Sequence, residues 1–357
     1  ARACAPRTLL LALRAMTNSA LETTAGPDAK PGPKRRWVRI ALAALGVLML
    51  SGFLWAAGPK QVADNIGQVG FGFGYLLLVT FTWRIIETTG TWVLMTPERR
   101  VGWGKLFLIR SAGESVNMLS LFGNVAGEPV KAMLLKRHLG GTESTGLVLL
   151  DKTIFFLGSM TFMTVGTVFG VWVLADRPAV VVTSLALLTP WVSVLSFAVW
   201  RQAKGDFVVQ ASRLVRLLRI KLSENTMAKI ARVDALLSDF WRLHKARFFM
   251  SYTLHTLGRC VRAVDVWLIV FLLGKHITLQ AAFFAAAAGM LASTSFVFIP
   301  GGLGAFEGGH AVVFEAIGLG LSVGVTVGIL RRIRNYVMAG FGYLLLVFWP
   351  AEAPPSK

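Results

Sequence analysis

Long apolar segments, each able to cross a lipid bilayer, are the feature of this sequence that most constrains its fold. A membrane-spanning helix needs roughly 20 predominantly apolar residues. The charged fraction is only 15%, whereas soluble domains usually contain about 25%. The sequence therefore predicts an all-α, polytopic membrane protein with about six full spans, at 38–57, 70–95, 145–175, 179–200, 249–273 and 322–349.

Two further apolar stretches, 106–138 and 279–321, are interrupted in the middle by glycine-rich segments. Non-helical backbone at membrane depth persists only where protein or a water-filled cavity satisfies its polar groups. We therefore expect each stretch to form a re-entrant helical hairpin. The single transmembrane domain is expected to cover 37–349, between a disordered N-terminal tail at 1–36 and a C-terminal tail at 350–357.

The basic residues lie mostly in short segments between the apolar stretches, and Lys and Arg number 37 against 18 Asp and Glu. This is the distribution that the positive-inside rule produces, so we expect no nucleic acid as a partner. It predicts a protein integral to the cytoplasmic (inner) membrane, with both termini cytoplasmic and only Lys60, Arg177 and Lys275 on the outer side.

The basic loop at 201–248 is the only sizeable polar segment between predicted spans, and it is expected on the cytoplasmic side. Apolar residues recur on one helical face within it, which predicts amphipathic helices lying in the plane of the lipid headgroups. An ordinary solvated pair of linker helices is the alternative. The chain thus offers too little soluble sequence for a separate catalytic domain.

Unusual residues recur along the chain at nearly one offset, which indicates an internal repeat. The first copy covers about 70–175 and the second about 249–349, and the predicted spans run through the membrane in opposite directions. Inverted repeats with broken helices are typical of secondary transporters, whose substrate site lies between the repeats. The charged motifs recur 178 or 179 positions apart: Arg84-x-x-Glu87 with Arg262-x-x-Asp265, and Glu128 with Glu307.

Charged residues inside the spans are the candidate functional residues, because each is costly to place in lipid. Residues three apart share one helical face. We therefore expect structural ion pairs between Arg84 and Glu87 and between Arg262 and Asp265, with substrate contact as the alternative.

A second group of charged residues is harder to explain by structure alone. Arg331, Arg332 and Arg334 lie well inside a span and need anions, and the guanidinium group suits a lipid phosphate. Lys152 and Arg259 add positive charge from other spans. These residues predict a basic cavity within the membrane, in which the available carboxylates are Asp151, Glu307 and Glu315.

Motifs for metal or cofactor chemistry are missing from the sequence. His138, His255 and His310 lack metal-ligand spacing, and Cys4 and Cys260 form no CxxC motif. No Asp-x-Asp pair, Walker loop, His-Glu-x-x-His or Gly-x-Ser-x-Gly motif occurs. We expect no metal and no cofactor, and a function that is not enzymatic.

Two segments, 117–156 and 298–343, resemble the transmembrane region of the lysylphosphatidylglycerol synthase family. The first contains AGEPVKAMLLKRHLGGTESTGLVLLDK, and the second contains IPGGLGAFEGGHAVVFEAIGLG and LRRIRNYVMAGFGYLLL. This region also occurs as stand-alone membrane proteins, including a hopanoid-associated subgroup. The resemblance implies lipid-binding roles for Glu128, Lys131, Asp151 and Lys152, and for Glu307, Arg332 and Arg334.

Three functions fit this sequence. In the multiple peptide resistance factors of the same family, the region translocates aminoacylated phosphatidylglycerol made by a separate soluble domain, so the resemblance implies a flippase for a polar or anionic lipid. The second is a transferase using a polyprenyl-phosphate donor, with Glu128 or Glu307 as the base. The third is a scaffold that docks lipid-biosynthesis enzymes through its basic loop. Membrane lipids are the expected partners in each.

Labelling of single cysteines tests the predicted topology. Asn225→Cys in the basic loop should react with a membrane-impermeant maleimide only from the cytoplasmic side, and Leu303→Cys at the second hairpin turn only from the outer side. Labelling of position 225 from the outside alone would reverse the orientation.

Overall fold

The computed structural model describes most of the predicted transmembrane domain, and within it every regular element is helical. The described residues are 58–97, 100–119, 126–204, 224–296 and 303–347, with Leu48, Ser51, Gly52, Trp55 and Ile299. The predicted span at 38–57 lies almost entirely outside them, as do both tails and the first half of the basic loop. The helices are α1 (Pro59–Val69), α2 (Phe73–Leu94), α3 (Trp103–Leu119), α4 (Glu128–Leu139), α5 (Gly141–Val173), α6 (Pro178–Lys204), α7 (Glu224–Leu243), α8 (Lys245–Leu272), α9 (Leu279–Ser295), α10 (Ala305–Ala316) and α11 (Leu321–Val347).

The five predicted spans that lie within the described residues correspond to the five longest helices, α2, α5, α6, α8 and α11. Each of these helices has at least 22 residues. Three segments of the described chain are both long and apolar enough to cross a bilayer: Pro59–Leu94, Gly141–Val173 and Pro178–Gln202. Helices α8 and α11 are also long enough to cross a bilayer, with 28 and 27 residues. Their arginines lower their mean hydropathy, so they are not among these three segments. The prediction of an all-α polytopic membrane protein is confirmed.

Four shorter helices occupy the two stretches that were predicted to form hairpins. Helices α3 and α9 each contain 17 residues, and α4 and α10 each contain 12. At 1.5 Å per residue they are about 25 and 18 Å long, less than the roughly 30 Å of a hydrocarbon core. Within each pair the second helix packs back against the first.

The helix order repeats along the chain: a long helix, a 17-residue helix, a 12-residue helix and another long helix. The first helices of the two copies, α2 and α8, pack against each other and run antiparallel. A Cβ added at Gly72, directly before α2, would lie 2.7 Å from Leu272 at the end of α8, and one at Gly90 would lie 3.3 Å from the more N-terminal His255. Antiparallel packing of equivalent helices means that the two copies are inverted relative to each other.

The first helix of each hairpin packs against a long helix of the other copy, an arrangement that we call the hairpin exchange. Helix α3 of the first copy packs on α11 of the second, where Gly342 lies against Ser111 and Ser115. In the equivalent contact, α9 of the second copy packs on α5 of the first, where Gly166 lies against Phe283. Each copy therefore contributes packing surface to the other.

Two elements differ from the sequence-based expectations. Helix α1, which was not predicted, buries Val62 and Val69 against the bundle, and Asn65 donates a hydrogen bond to Thr326 of α11 at 3.1 Å. Helix α7 buries Val233 and Leu237 in a cluster with residues of α5 and α8. The part of its apolar face that carries these two residues is thus covered by protein.

A pair of glycine substitutions on α11 tests the hairpin exchange. Gly342→Ala would place a methyl group against Ser115 Oγ and the Ser111 carbonyl, whereas a Cβ at Gly340 meets nothing within 4 Å. We expect Gly342→Ala to destabilise the protein by about 1–3 kcal/mol. Gly340→Ala should be neutral or stabilising, since alanine favours helix. Thermal unfolding of the two variants in detergent measures the difference, and equal melting temperatures would contradict this packing.

Candidate functional site

A cluster of six charged side chains lies between α2, α3, α5 and α8, and Arg110 is at its centre. Arg110 Nη1 donates to Asp151 Oδ2 on α5 at 2.8 Å, and Arg110 Nη2 lies 3.7 Å from Glu87 Oε2 on α2. Thr91 hydrogen-bonds Asp151 Oδ1 at 2.5 Å and also contacts Arg110. Both Arg110 and Asp151 are buried, so each provides the counter-charge that the other needs away from water.

The remaining members extend this group, which we call the Arg110 cluster. Arg84 Nη1 binds Glu114 Oε2 at 2.8 Å, and Glu114 is four residues after Arg110 on α3. Arg259 of α8 is fully buried, lies 3.3 Å from Glu87 and stands over the ring of Phe155 at 3.7 Å. The cluster is balanced in charge, because its three arginines face three carboxylates: Arg84, Arg110 and Arg259 with Glu87, Glu114 and Asp151.

A second group, the Asp265 cluster, joins α8 to α11 and contains more positive than negative charge. Oδ2 of the buried Asp265 lies 3.1 Å from Arg331 Nε, and Oδ1 accepts a hydrogen bond from Arg334. Arg262 and Arg334 both stand over the ring of Trp83 on α2, at 5.1 and 4.6 Å. The cluster thus holds three arginines and a single carboxylate, and Trp83 is the side chain that the other repeat contributes.

Arg262 is the exception to the pairing of buried charges. Among the described residues, no carboxylate oxygen lies within 4.0 Å of its guanidinium group, and its Nε atom is buried without a hydrogen-bond partner. Its side chain as a whole is only partly buried. Glu87 of α2 acts on Arg262 electrostatically from beyond ion-pair distance, so the guanidinium group is able to receive an anion from a ligand.

The structure corrects the two ion pairs that were expected within single helices. Arg84 pairs with Glu114 of α3 instead of Glu87. Asp265 pairs with Arg331 and Arg334 of α11, and its predicted partner Arg262 is not in contact with it. In both cases the carboxylate is satisfied by an arginine from a neighbouring helix, because packing of the helices brings those side chains closer than residues three apart on one helix.

Each hairpin is tied to the long helix that follows it by an ion pair at the start of its second half-helix. Glu128 Oε1 accepts from Lys152 at 3.0 Å and from Lys131 at 3.2 Å. Its counterpart Glu307 binds Arg332 through both carboxylate oxygens and caps α10 by accepting from Gly304 N at 2.9 Å. These are equivalent contacts of the two repeats, and we call them the hairpin pairs.

A cavity of about 660 Å³ opens at the N-terminal end of α3. Its lining includes Arg100, Trp103, Lys105 and His138, so basic and aromatic groups face the same space. Basic and aromatic side chains are typical of the membrane interface, where lipid headgroups lie. The cavity is therefore suited to an anionic headgroup at the end of the bundle that carries these residues.

Of the carboxylates proposed from sequence for the basic cavity, Asp151 and Glu307 lie in the buried network and Glu315 does not. Glu315 is exposed on α10. Sequence reasoning also missed Arg110 and Glu114, which are central to the Arg110 cluster. The sequence could have indicated them, because they are two opposite charges four residues apart inside an apolar stretch.

The fold and these clusters define a polytopic helical membrane protein with a charged site between two inverted repeats. Residues 36–342 match the family model of the lysylphosphatidylglycerol synthase TM region, and the chain belongs to this family. Membership places it among membrane proteins with a lipid-related function. No curated protein and no solved structure shows significant similarity to the chain.

The second hairpin pair is tested by neutralising two glutamates of the same helix. Glu307→Gln removes a fully buried charge that Arg332 binds twice, and we expect a loss of stability of about 3–5 kcal/mol. Glu315→Gln, on the exposed side of α10, should change stability by less than about 0.5 kcal/mol. If Glu307 and Arg332 are partners, adding Arg332→Gln to Glu307→Gln should recover part of the loss in a thermal unfolding assay. Simple addition of the two losses would contradict the pairing.

Proposed function

We propose that the protein translocates a polar or anionic lipid across the cytoplasmic membrane. The observation that carries this proposal is the composition of the Asp265 cluster, in which Arg331 and Arg334 pair with the single carboxylate Asp265 and Arg262 lies with Arg334 over the ring of Trp83. The excess positive charge is buried among membrane helices, and a bound anion would offset it.

The energetic argument concerns unpaired charge in the membrane. An arginine at the centre of a membrane helix costs roughly 2.5–3.5 kcal/mol on insertion scales, and more where no compensation is available. The Arg110 cluster avoids this cost with carboxylates of its own, but the Asp265 cluster does not. A lipid phosphate is the most abundant anion at a membrane, and its oxygens suit the planar guanidinium group of Arg262.

The position of the cluster also favours transport. Asp265 and Arg262 lie on α8, Arg331 and Arg334 on α11, and Trp83 on α2, so both repeats contribute to it. In transporters built from inverted repeats, a site at this interface opens alternately to the two sides as one repeat moves against the other. We propose that the hairpin pairs hold the half-helices during this movement and that both termini are cytoplasmic.

The contacts of Glu307 favour translocation over the transferase alternative. A general base needs an oxygen within hydrogen-bond reach of the proton that it removes. Both oxygens of Glu307 are already bound by Arg332, and one of them also caps α10. Glu128 shares Oε1 between two lysines, and its Oε2 is buried without a described hydrogen-bond partner. The contacts of Glu307 are those of a residue that holds structure, so we propose no catalytic step at Glu307.

The roles proposed for the sequence-derived residues follow from these contacts. Arg331 and Arg334 would bind the lipid phosphate together with Arg262, for which a structural ion pair was expected and substrate contact was the alternative. The remaining residues would hold the helices in place around the lipid: Glu128, Lys131, Asp151, Lys152, Arg259, Glu307 and Arg332.

Replacing Arg262 tests the function. Arg262→Gln removes a charge that has no carboxylate partner in the described structure, so the protein should stay folded and monodisperse. We expect it to slow the protein-dependent movement of labelled phosphatidylglycerol in vesicles by at least about tenfold, the effect of losing roughly 1.4 kcal/mol of binding. The assay follows chemical quenching of headgroup-labelled lipid over time.

The matched control is Arg177→Gln, which removes the same charge from the exposed turn between α5 and α6 and should leave the rate unchanged. If the wild-type protein moves neither anionic nor zwitterionic lipids faster than empty vesicles do, the flippase proposal fails. Formation of a sugar- or aminoacyl-modified lipid in the same vesicles would then support the transferase.

A further inference from the structure

His255 is a fully buried histidine whose ring is held at one nitrogen and open at the other. It lies on α8 against Gly90 of α2, where an added Cβ would be 3.3 Å from the His255 Nε2 atom. Its Nε2 atom is 3.1 Å from Asp151 Oδ1. Its Nδ1 atom is buried and has no hydrogen-bond partner among the described residues. Buried polar atoms are nearly always satisfied, so such an atom calls for an explanation.

His310, the other fully buried histidine of the described chain, shows the contrast. Its Nδ1 lies 2.8 Å from the Phe306 carbonyl and its Nε2 lies 2.7 Å from Arg331 Nη1. Because arginine only donates, Nε2 must accept and Nδ1 must carry the hydrogen. His310 is thus fixed as a neutral ring, whereas His255 can accept a second proton at Nδ1 while Nε2–H donates to Asp151.

His255 lies among the charged residues of the Arg110 cluster, so its protonation changes the net charge there. Asp151 faces it from α5, Glu87 from α2 and Arg110 from α3, and Arg259 lies one turn along α8. Helix α9, which also packs on α8, contains no titratable residue. With His255 neutral, the three arginines and three carboxylates balance. A proton on His255 would add one positive charge, with Asp151 as its counter-ion.

The same helix carries the Asp265 cluster, in which the excess charge favours an anion. His255, Arg259, Arg262 and Asp265 all lie on α8, so movement of this helix would shift the proposed lipid site and the histidine together. An anionic lipid that crosses alone carries a negative charge through the membrane. A proton that crosses in the same direction cancels that charge, which removes the dependence on membrane potential.

We propose that His255 and Asp151 form a proton-binding site that couples proton movement to movement of the anionic lipid in the same direction. The inference rests on the proposed translocation function. In each cycle a proton binds His255 Nδ1 from the more acidic side and leaves to the more alkaline side, and no bond other than N–H forms or breaks. The histidine is suited to this step because Nε2–H can donate to Asp151 while Nδ1 is open to accept and release a proton.

The test measures the distribution of lipid between leaflets at steady state under a pH gradient. The full chain is reconstituted in vesicles with a trace of headgroup-labelled phosphatidylglycerol, and the membrane potential is held at zero with valinomycin and equal potassium. If one proton moves with each lipid, a gradient of one pH unit should shift the leaflet ratio about tenfold towards the alkaline side. Protein-free vesicles give the background.

Two histidine variants give the matched comparison. His255→Gln keeps a donor for Asp151 but cannot be protonated, so it should still equilibrate the lipid, with a leaflet ratio that ignores the gradient. His276→Gln, in the exposed turn after α8, should keep the full tenfold shift. If His255→Gln aggregates, His255→Asn replaces it, and the wild-type measurement remains decisive by itself.

The outcomes separate this inference from the function on which it rests. Wild-type protein that speeds equilibration but leaves equal amounts in the two leaflets would overturn proton coupling and leave the flippase standing. A shift towards the acidic side, or a shift that His255→Gln retains, would also overturn it. Wild-type protein that moves no lipid at all would refute both proposals together.

Discussion

The burial of charged side chains among membrane helices is the constraint on which the rest of the structure depends. Arg110 and Asp265 are removed from water, and neither could be tolerated without opposite charges from neighbouring helices. The partners of Arg110 come from α2 and α5, and those of Asp265 come from α11. Helices α8 and α11, whose arginines lower their hydropathy, are therefore stable in the membrane only as parts of the assembled bundle.

The two inverted repeats satisfy this constraint with equivalent ion pairs, but the pairs differ between the repeats. Both hairpins are tied to the following long helix by a glutamate at the start of the second half-helix. Glu307 is fully buried and binds Arg332 through both oxygens, whereas the side chain of Glu128 is 11% exposed and leaves Oε2 without a described partner. The same contact thus exists in a tight and a looser form. Two copies in unequal conformations are what alternating access requires.

The two central clusters differ in net charge, and this difference is the basis of the proposed lipid binding. Carboxylates match the arginines of the Arg110 cluster, and the cluster needs nothing from outside the protein. The Asp265 cluster has three arginines for one carboxylate, with Arg262 lacking any described anionic partner. A balanced cluster locks helices together, and an unbalanced one beside it can bind an anion. Under the proposed function, a membrane lipid supplies that anion.

The sequence by itself determined the helical class, the five spans that lie within the described residues, the hairpins and the repeat, because these depend on apolar length, on glycine-rich interruptions and on spacing along one chain. Only the tertiary structure decided which charges meet. Arg84 and Glu87 share a helix but bind different partners, since crossing helices bring Glu114 and Arg110 closer. The exchange of hairpins between the repeats and the open nitrogen of His255 likewise arise from packing between distant segments. Local periodicity carries no information about such contacts, because the helices that form them are far apart in sequence.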